Sequence, residues 1–129
     1  MTQLFVFDLD DTLYLEKDYV KSGFTAVNSH LVSSHDIYGF YDKAWNRFIN
    51  GEKKYIFNNV LYDINYEENT LLVEELVKIY REHKPDIKLL DDAKWALNFY
   101  SKRHAISLLS DGYLKSQKNK VESLKIEKY

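Results

Sequence analysis

"LFVFDLDDTLY", Leu4 to Tyr14, decides how this chain is read. Four apolar residues run straight into a segment that carries three aspartates and a threonine. A continuous apolar run of strand length suits a strand covered on both faces, as in parallel α/β sheets, better than a half-exposed alternating one. Carboxylates leave water at a steep cost unless a cation or hydrogen-bond donors compensate them. Something positive is therefore expected where this strand stops.

Working outward, the character changes after Tyr14, and helical spacing dominates for about seventy residues. Phe24, Val27 and Leu31 fall on one helix face, and Tyr41, Ala44, Trp45 and Phe48 repeat the pattern. Gly51 interrupts it, and Ile56, Val60 and Leu61 resume it. Leu72, Leu76, Ile79 and Tyr80 mark an amphipathic helix from Glu67 to His83, which the only proline, Pro85, closes. Asp91 reads as the N-cap of a helix through Tyr100, with Ala93, Ala96, Leu97 and Tyr100 facing inward. "HAISLLSDG" then supplies a second buried-strand candidate, His104 to Leu109, again ending on polar residues. A last helix begins near Tyr113, with Leu114, Gln117, Val121 and Leu124 on one side.

The order is thus strand, helical insertion, helix, strand, helix. Two apolar strands each deliver a polar cluster at their C-terminal ends. Open parallel sheets bind ligands at that edge, beside helix N-termini with unpaired amides. The two clusters face one another if the strands are parallel neighbours.

The bulk composition narrows the function classes. With 129 residues, 45% hydrophobic and 16% aromatic, the chain suffices for one packed domain. A net charge of −2 provides no basic field for nucleic acid or an anionic membrane. The absence of cysteine excludes disulfides and thiolate metal sites. No signal-peptide pattern opens the sequence, and no apolar run approaches a membrane span. The expectation is a soluble cytoplasmic protein without nucleic-acid or membrane partners. The histidines at 30, 35, 83 and 104 are scattered, and each reads as a surface or loop residue rather than a metal ligand. The aromatics Trp45, Phe48, Tyr55 and Phe57 read as core rather than as a substrate box.

Chemistry concentrates in the two clusters. One carboxylate of the Asp8–Asp10 pair can attack as a nucleophile to form an acyl phosphate. The other can protonate a leaving oxygen and later deprotonate water. Two anions repel a phosphoester, so a hard divalent cation with oxygen ligands, Mg²⁺, is expected between them. Thr12 could orient Asp10 through its hydroxyl, and Asp11 faces solvent or caps locally. Ser110 offers a hydroxyl, and the amides of Asp111 and Gly112 precede the next helix. Phosphoryl transfer needs mainly positioning and charge neutralisation, which this set supplies.

At these residues the sequence resembles a known family. "FDLDDTLY" is similar to the first motif of the haloacid dehalogenase (HAD) superfamily, a hydrophobic strand followed by Asp-x-Asp-x-Thr. "ISLLSDG" resembles its second motif, and the helical insertion resembles its C1 cap. The resemblance implies an α/β fold, a HAD-like Rossmannoid parallel sheet, incomplete in this chain, with an inserted α-helical cap. It assigns 1–14 and 86–129 to the core and 15–85 to the cap. It also implies a Mg²⁺-dependent phosphohydrolase acting on a small phosphorylated substrate. Asp8 becomes nucleophile and metal ligand. Asp10 becomes general acid/base and gives its backbone carbonyl to the metal. Leu9, Asp10, Ser110 and Asp111 hold phosphate, with Thr12 and Gly112 in support. An aspartate at position 10 favours phosphotransfer over dehalogenation.

The family's third motif, a lysine, and its fourth, one or two acidic ligands, follow the second motif, and this sequence runs only one helix past it. Lys84-Pro85 has the wrong order for the third motif and reads as the hinge where the chain leaves the cap. Lys115, Lys118 and Lys120 read as a solvated helix face. The expectation is therefore a truncated product of a longer enzyme, or a half completed by another chain, weak or inactive alone. The sheet edge left open would invite self-association. A non-catalytic module on the same fold is the competing reading. A phosphorylated receiver domain fits less well, since its reactive aspartate lies on a later strand with no helical insertion after the first.

Overall fold

The computed structural model describes residues 3–64 and 70–129. Its elements are β1 (Leu4–Asp8), α1 (Glu16–His35), α2 (Phe40–Ile49), α3 (Ile56–Asp63), α4 (Thr70–Glu82), α5 (Asp91–Ser101), β2 (Ala105–Leu109) and α6 (Leu114–Leu124). Two compact units result, residues 1–20 with 84–129 and residues 21–83. The expected helix start at Glu67 lies outside the described residues. No described helix is long and apolar enough to cross a membrane.

In the α/β unit, β1 and β2 pair in parallel with Leu4 opposite Ala105 and Asp8 opposite Leu109. Parallel pairing requires a long crossover, and everything between the strands serves as one. The register puts Phe5, Phe7, Ile106 and Leu108 on one face. Helix α5 covers that face through Tyr100, whose ring centroid lies 4.4 Å from Phe5 and 6.4 Å from Phe7. Behind it, Ala93 and Leu97 are buried. The helix is preceded by Leu90 as N-cap rather than by Asp91, and the Asp92 carboxylate accepts from the Ala93 amide at 2.9 Å. The Leu90 amide donates to the Leu13 carbonyl at 2.9 Å, tying the segment that leaves β1 to the one entering α5.

The opposite sheet face corrects the reading of the strands as covered on both sides. Leu4, Val6 and Leu109 are 62%, 57% and 63% exposed, and burial alternates along both strands. Among the described residues no element packs on that face. A continuous apolar run states what a strand can bury, not what is present to bury it.

The helical unit is built on an aromatic cluster. Phe24 of α1 meets Phe40, Phe48, Phe57 and Tyr80 at centroid separations of 6.0 to 6.4 Å. Edge-on and tilted rings at these distances add to the area they bury. Val27, Leu31, Ala44, Val60, Leu61, Leu72 and Leu76 complete the core. Gly23 is required by close approach: a Cβ there would stand 2.2 Å from the Tyr80 ring. Tyr55 departs from the aromatic core expected of this region. It is 73% exposed and sits with φ of 59° as the N-cap of α3.

Candidate active site

Both polar clusters lie at the C-terminal end of the two-stranded sheet, because the strands are parallel and in register there. Asp8 closes β1 on the open face and is exposed. After it the chain tightens into a turn, with the Leu13 amide donating to the Leu9 carbonyl at 3.2 Å. Asp11 takes a left-handed conformation, φ 57°, which aspartate tolerates better than most residues. Its Oδ1 accepts from the Glu16 amide at 3.1 Å and so caps the start of α1.

This turn swings Asp10 away from solvent toward α6. Its Oδ1 accepts from Lys120 Nζ at 2.7 Å and from the Tyr14 hydroxyl, and its Oδ2 accepts from Gln117 Nε2 at 3.0 Å. Burial alone would raise the Asp10 carboxyl, but hydrogen bonds from Lys120, Tyr14 and Gln117 override it and hold the group below the usual carboxylate range. Burial pushes the Tyr14 phenol far up, reinforced by the Asp10 carboxylate it donates to. Tyr14 therefore stays a donor. The Lys120 ammonium also lies 4.2 Å from the Tyr19 ring centroid, a cation–π arrangement that offsets part of its desolvation.

Three corrections follow. Lys120 is 8% exposed, so it does not belong to a solvated face. Thr12 does not orient Asp10; its hydroxyl points to Asp8 Oδ2 at 3.5 Å, the long limit of a hydrogen bond. The backbone amide of Leu9 donates to the Leu109 carbonyl at 3.1 Å, so the sheet ladder engages it and it is not free for phosphate.

Gln117 joins the clusters. Its Nε2 donates to Asp10 and also to the Asp111 carbonyl, bridging the loop after β1 to the loop after β2. Its Oε1 is buried without a hydrogen-bond partner. Gly112, at φ 125°, lies under the Gln117 amide: a Cβ there would stand 3.4 Å from Nε2 in an unfavourable backbone conformation. Asp111 and Gly112 precede Tyr113, the N-cap of α6, which makes no side-chain capping bond. Ser110 is exposed at the end of β2 and lines a groove of about 280 Å³ with Leu108, Leu114, Gln117 and Val121. Asp8 and Asp10 are not part of that lining.

A sequence profile described as haloacid dehalogenase-like hydrolase matches residues 5–129. The chain belongs to that family. Solved structures of HAD proteins share its fold. The YfnB protein of Bacillus subtilis, in a form bound to magnesium, has a TM-score of 0.60 at 16% identity, over 97% of this chain and 59% of its own. A 2-haloacid dehalogenase from Pseudomonas syringae gives 0.56 at 16%, over 100% and 61%. A haloacid dehalogenase-like family hydrolase from Xanthomonas campestris gives 0.53 at 18%, over 98% and 58%. The chain thus spans about 60% of the length of these HAD structures. No curated protein matches the sequence.

Three residues around Asp10 escaped the sequence reading: Tyr14, Gln117 in its polar role, and Lys120. The structure supplies the missing signal in α6. Gln117, Lys120 and Leu124 follow one another at spacings of three and four and are all buried, whereas Leu114 is 68% exposed. A buried lysine three residues after a buried glutamine on a HAD α6 points to a carboxylate nearby.

Proposed function

We propose that this chain carries part of the site of a metal-dependent phosphohydrolase acting on a small phosphomonoester. One observation carries the reading: Asp8 is exposed at the strand end, while Asp10, two residues on, is held ionised by three donors. The two carboxylates therefore have different environments, as separate nucleophile and general-base roles require.

In this reading an Asp8 carboxylate oxygen attacks phosphorus, and the bond to the ester oxygen breaks. The leaving oxygen takes a proton from solvent water, since Asp10 is held as a carboxylate. Asp10 then takes a proton from the attacking water and returns it to solvent. That water attacks phosphorus, the bond to Asp8 breaks, and free phosphate leaves. Lys120, Tyr14 and Gln117 hold Asp10 in place and favour its basic form. Ser110, Asp111 and Gly112 supply donors to the phosphoryl oxygens from the second strand end. The Asp8 carboxylate is exposed, and the resemblance adds the Asp10 carbonyl, an oxygen-only donor set that suits a hard cation such as Mg²⁺. Such an ion would neutralise charge on the phosphoryl group. The magnesium in the YfnB structure supports the choice of metal.

The aspartate at position 10 favours phosphotransfer over the dehalogenation named for the Pseudomonas syringae relative. The activity of the whole protein is part of the proposal, since the chain spans about 60% of its structural relatives. The test is Mg²⁺-dependent phosphate release from a panel of phosphomonoesters, with chloride release from 2-chloropropionate run in parallel. Phosphate release that Asp8→Asn and chelation both abolish is the expected result. Chloride release instead would transfer the assignment to dehalogenation. A folded chain that does neither, and stays inactive when the rest of a HAD core is supplied, would favour the non-catalytic module.

A further inference from the structure

The sequence scatters its histidines, but the fold of the helical unit gathers two of them with a glutamate. His30 and His35 lie in the last turns of α1, and Glu75 lies on α4. The two helices pass antiparallel: Gly23 stands against Tyr80, and seven residues further along α1 His30 stands against Glu75. One ligand atom from each residue falls within 4.8 Å of the other two. We propose that His30, His35 and Glu75 form a site for a divalent transition-metal ion of the zinc class, separate from the Asp8 cluster.

The donor chemistry supports this class. Two imidazole nitrogens and one carboxylate oxygen suit Zn²⁺, Co²⁺ or Ni²⁺, not the hard ions that select all-oxygen sets. Three protein ligands leave one tetrahedral position open.

The distances describe a site closed around no ion yet already near ligand spacing. Zinc–ligand bonds of about 2.05 Å at tetrahedral angles separate ligand atoms by roughly 3.3 Å. Glu75 Oε2 lies 3.4 Å from His30 Nε2 and 2.7 Å from His35 Nε2. Of these two contacts the first is already at ligand spacing and the second must open, which a rotation of the Glu75 or His35 side chain provides.

The state of His30 is the independent observation. Its Nε2 is sealed from water and makes no hydrogen bond within geometric limits. A buried nitrogen without a hydrogen bond is destabilising, and a metal bond would satisfy it. His35 bonds to Glu75 Oε2 at 2.7 Å, whereas His30 reaches the same oxygen only at 3.4 Å, so a single carboxylate oxygen is shared between two imidazoles. The two imidazole rings stand with centroids 5.4 Å apart, so both nitrogens reach one point. The backbone behind the cluster is firm, since Leu31, Leu72 and Leu76 are buried beside these residues.

The test titrates the metal-stripped chain with Co²⁺ and follows its visible d–d bands, then displaces the ion with Zn²⁺. One equivalent with tetrahedral bands, displaced by Zn²⁺, is expected. His30→Ala and Glu75→Gln should each weaken binding at least about tenfold, the lower bound for disturbing even a ligand's supporting contacts. Asp8→Asn should leave it unchanged, which separates this site from the phosphohydrolase reading. His35→Gln repeats the test with a near-isosteric change, and circular dichroism confirms that each variant is folded. Absence of tetrahedral bands, or folded variants that bind Co²⁺ as the unaltered chain does, would overturn the proposal.

Discussion

The helical unit and the α/β unit invest their apolar residues in opposite ways. In the helical unit Phe24, Phe40, Val27, Leu31, Val60 and Leu76 all face inward, and the rings close on one another. In the α/β unit the sheet leaves Leu4, Val6 and Leu109 in the open, while Lys120 and Gln117 are buried. A polar pair is expensive to bury unless it is well paired. The difference teaches where selection for chemistry outweighs selection for packing: the helical unit satisfies its own core, and the α/β unit shapes its interior around one aspartate.

The largest effect should come from the helical core. Phe24→Ala removes a ring that meets four others and should cost about 3–5 kcal/mol, as for other buried phenylalanines. Phe5→Ala in the half-covered sheet should cost less than half as much, because among the described residues the rings against it are Tyr100 and His104, on one sheet face. Urea unfolding of both variants measures the contrast. Equal costs would mean that the sheet is covered in solution.

The second effect tests the buried polar interior. Lys120→Met keeps the stem volume but leaves the Asp10 carboxylate with two neutral donors. The Asp10 side chain is 30% exposed, so the loss should be about 1–3 kcal/mol rather than the larger figure for a fully enclosed pair. Adding Asp10→Asn removes the uncompensated charge, so the double variant should be more stable than the two single costs added together. Strict additivity would show that Lys120 acts through packing on Tyr19 rather than through Asp10.

Much of this contrast was readable in the sequence. The two strands, the helical insertion and the helix faces carrying Phe24, Val27 and Leu31 follow from periodicity, since burial there is local and repeats with the element. Asp8 and Asp10 stood out because charge after an apolar strand conflicts with burial. Lys120 did not, because a lysine on an amphipathic helix reads as solvent-facing unless its partner is known, and that partner lies 110 positions away. The His30–His35–Glu75 cluster was hidden for a similar reason. Residues five apart stand about 140° apart around a regular helix, and the third member comes 40 residues after His35.

The smallest effect on stability is expected on the open sheet face, and it sharpens the comparison furthest. Val6 is a strand residue whose side chain packs against little, so Val6→Lys should alter folding stability by no more than about 0.5 kcal/mol. A two-stranded parallel sheet with an apolar face and unpaired edges invites pairing between copies. The same substitution should therefore lower self-association, measured by sedimentation at rising concentration, while unfolding stays unchanged. A lysine works here because its charge stays hydrated when the face is open and would be desolvated in any contact across it. If Val6→Lys instead destabilises the monomer by several kcal/mol, the face is covered within one chain, and the two units differ less in packing than in the polarity of what they bury.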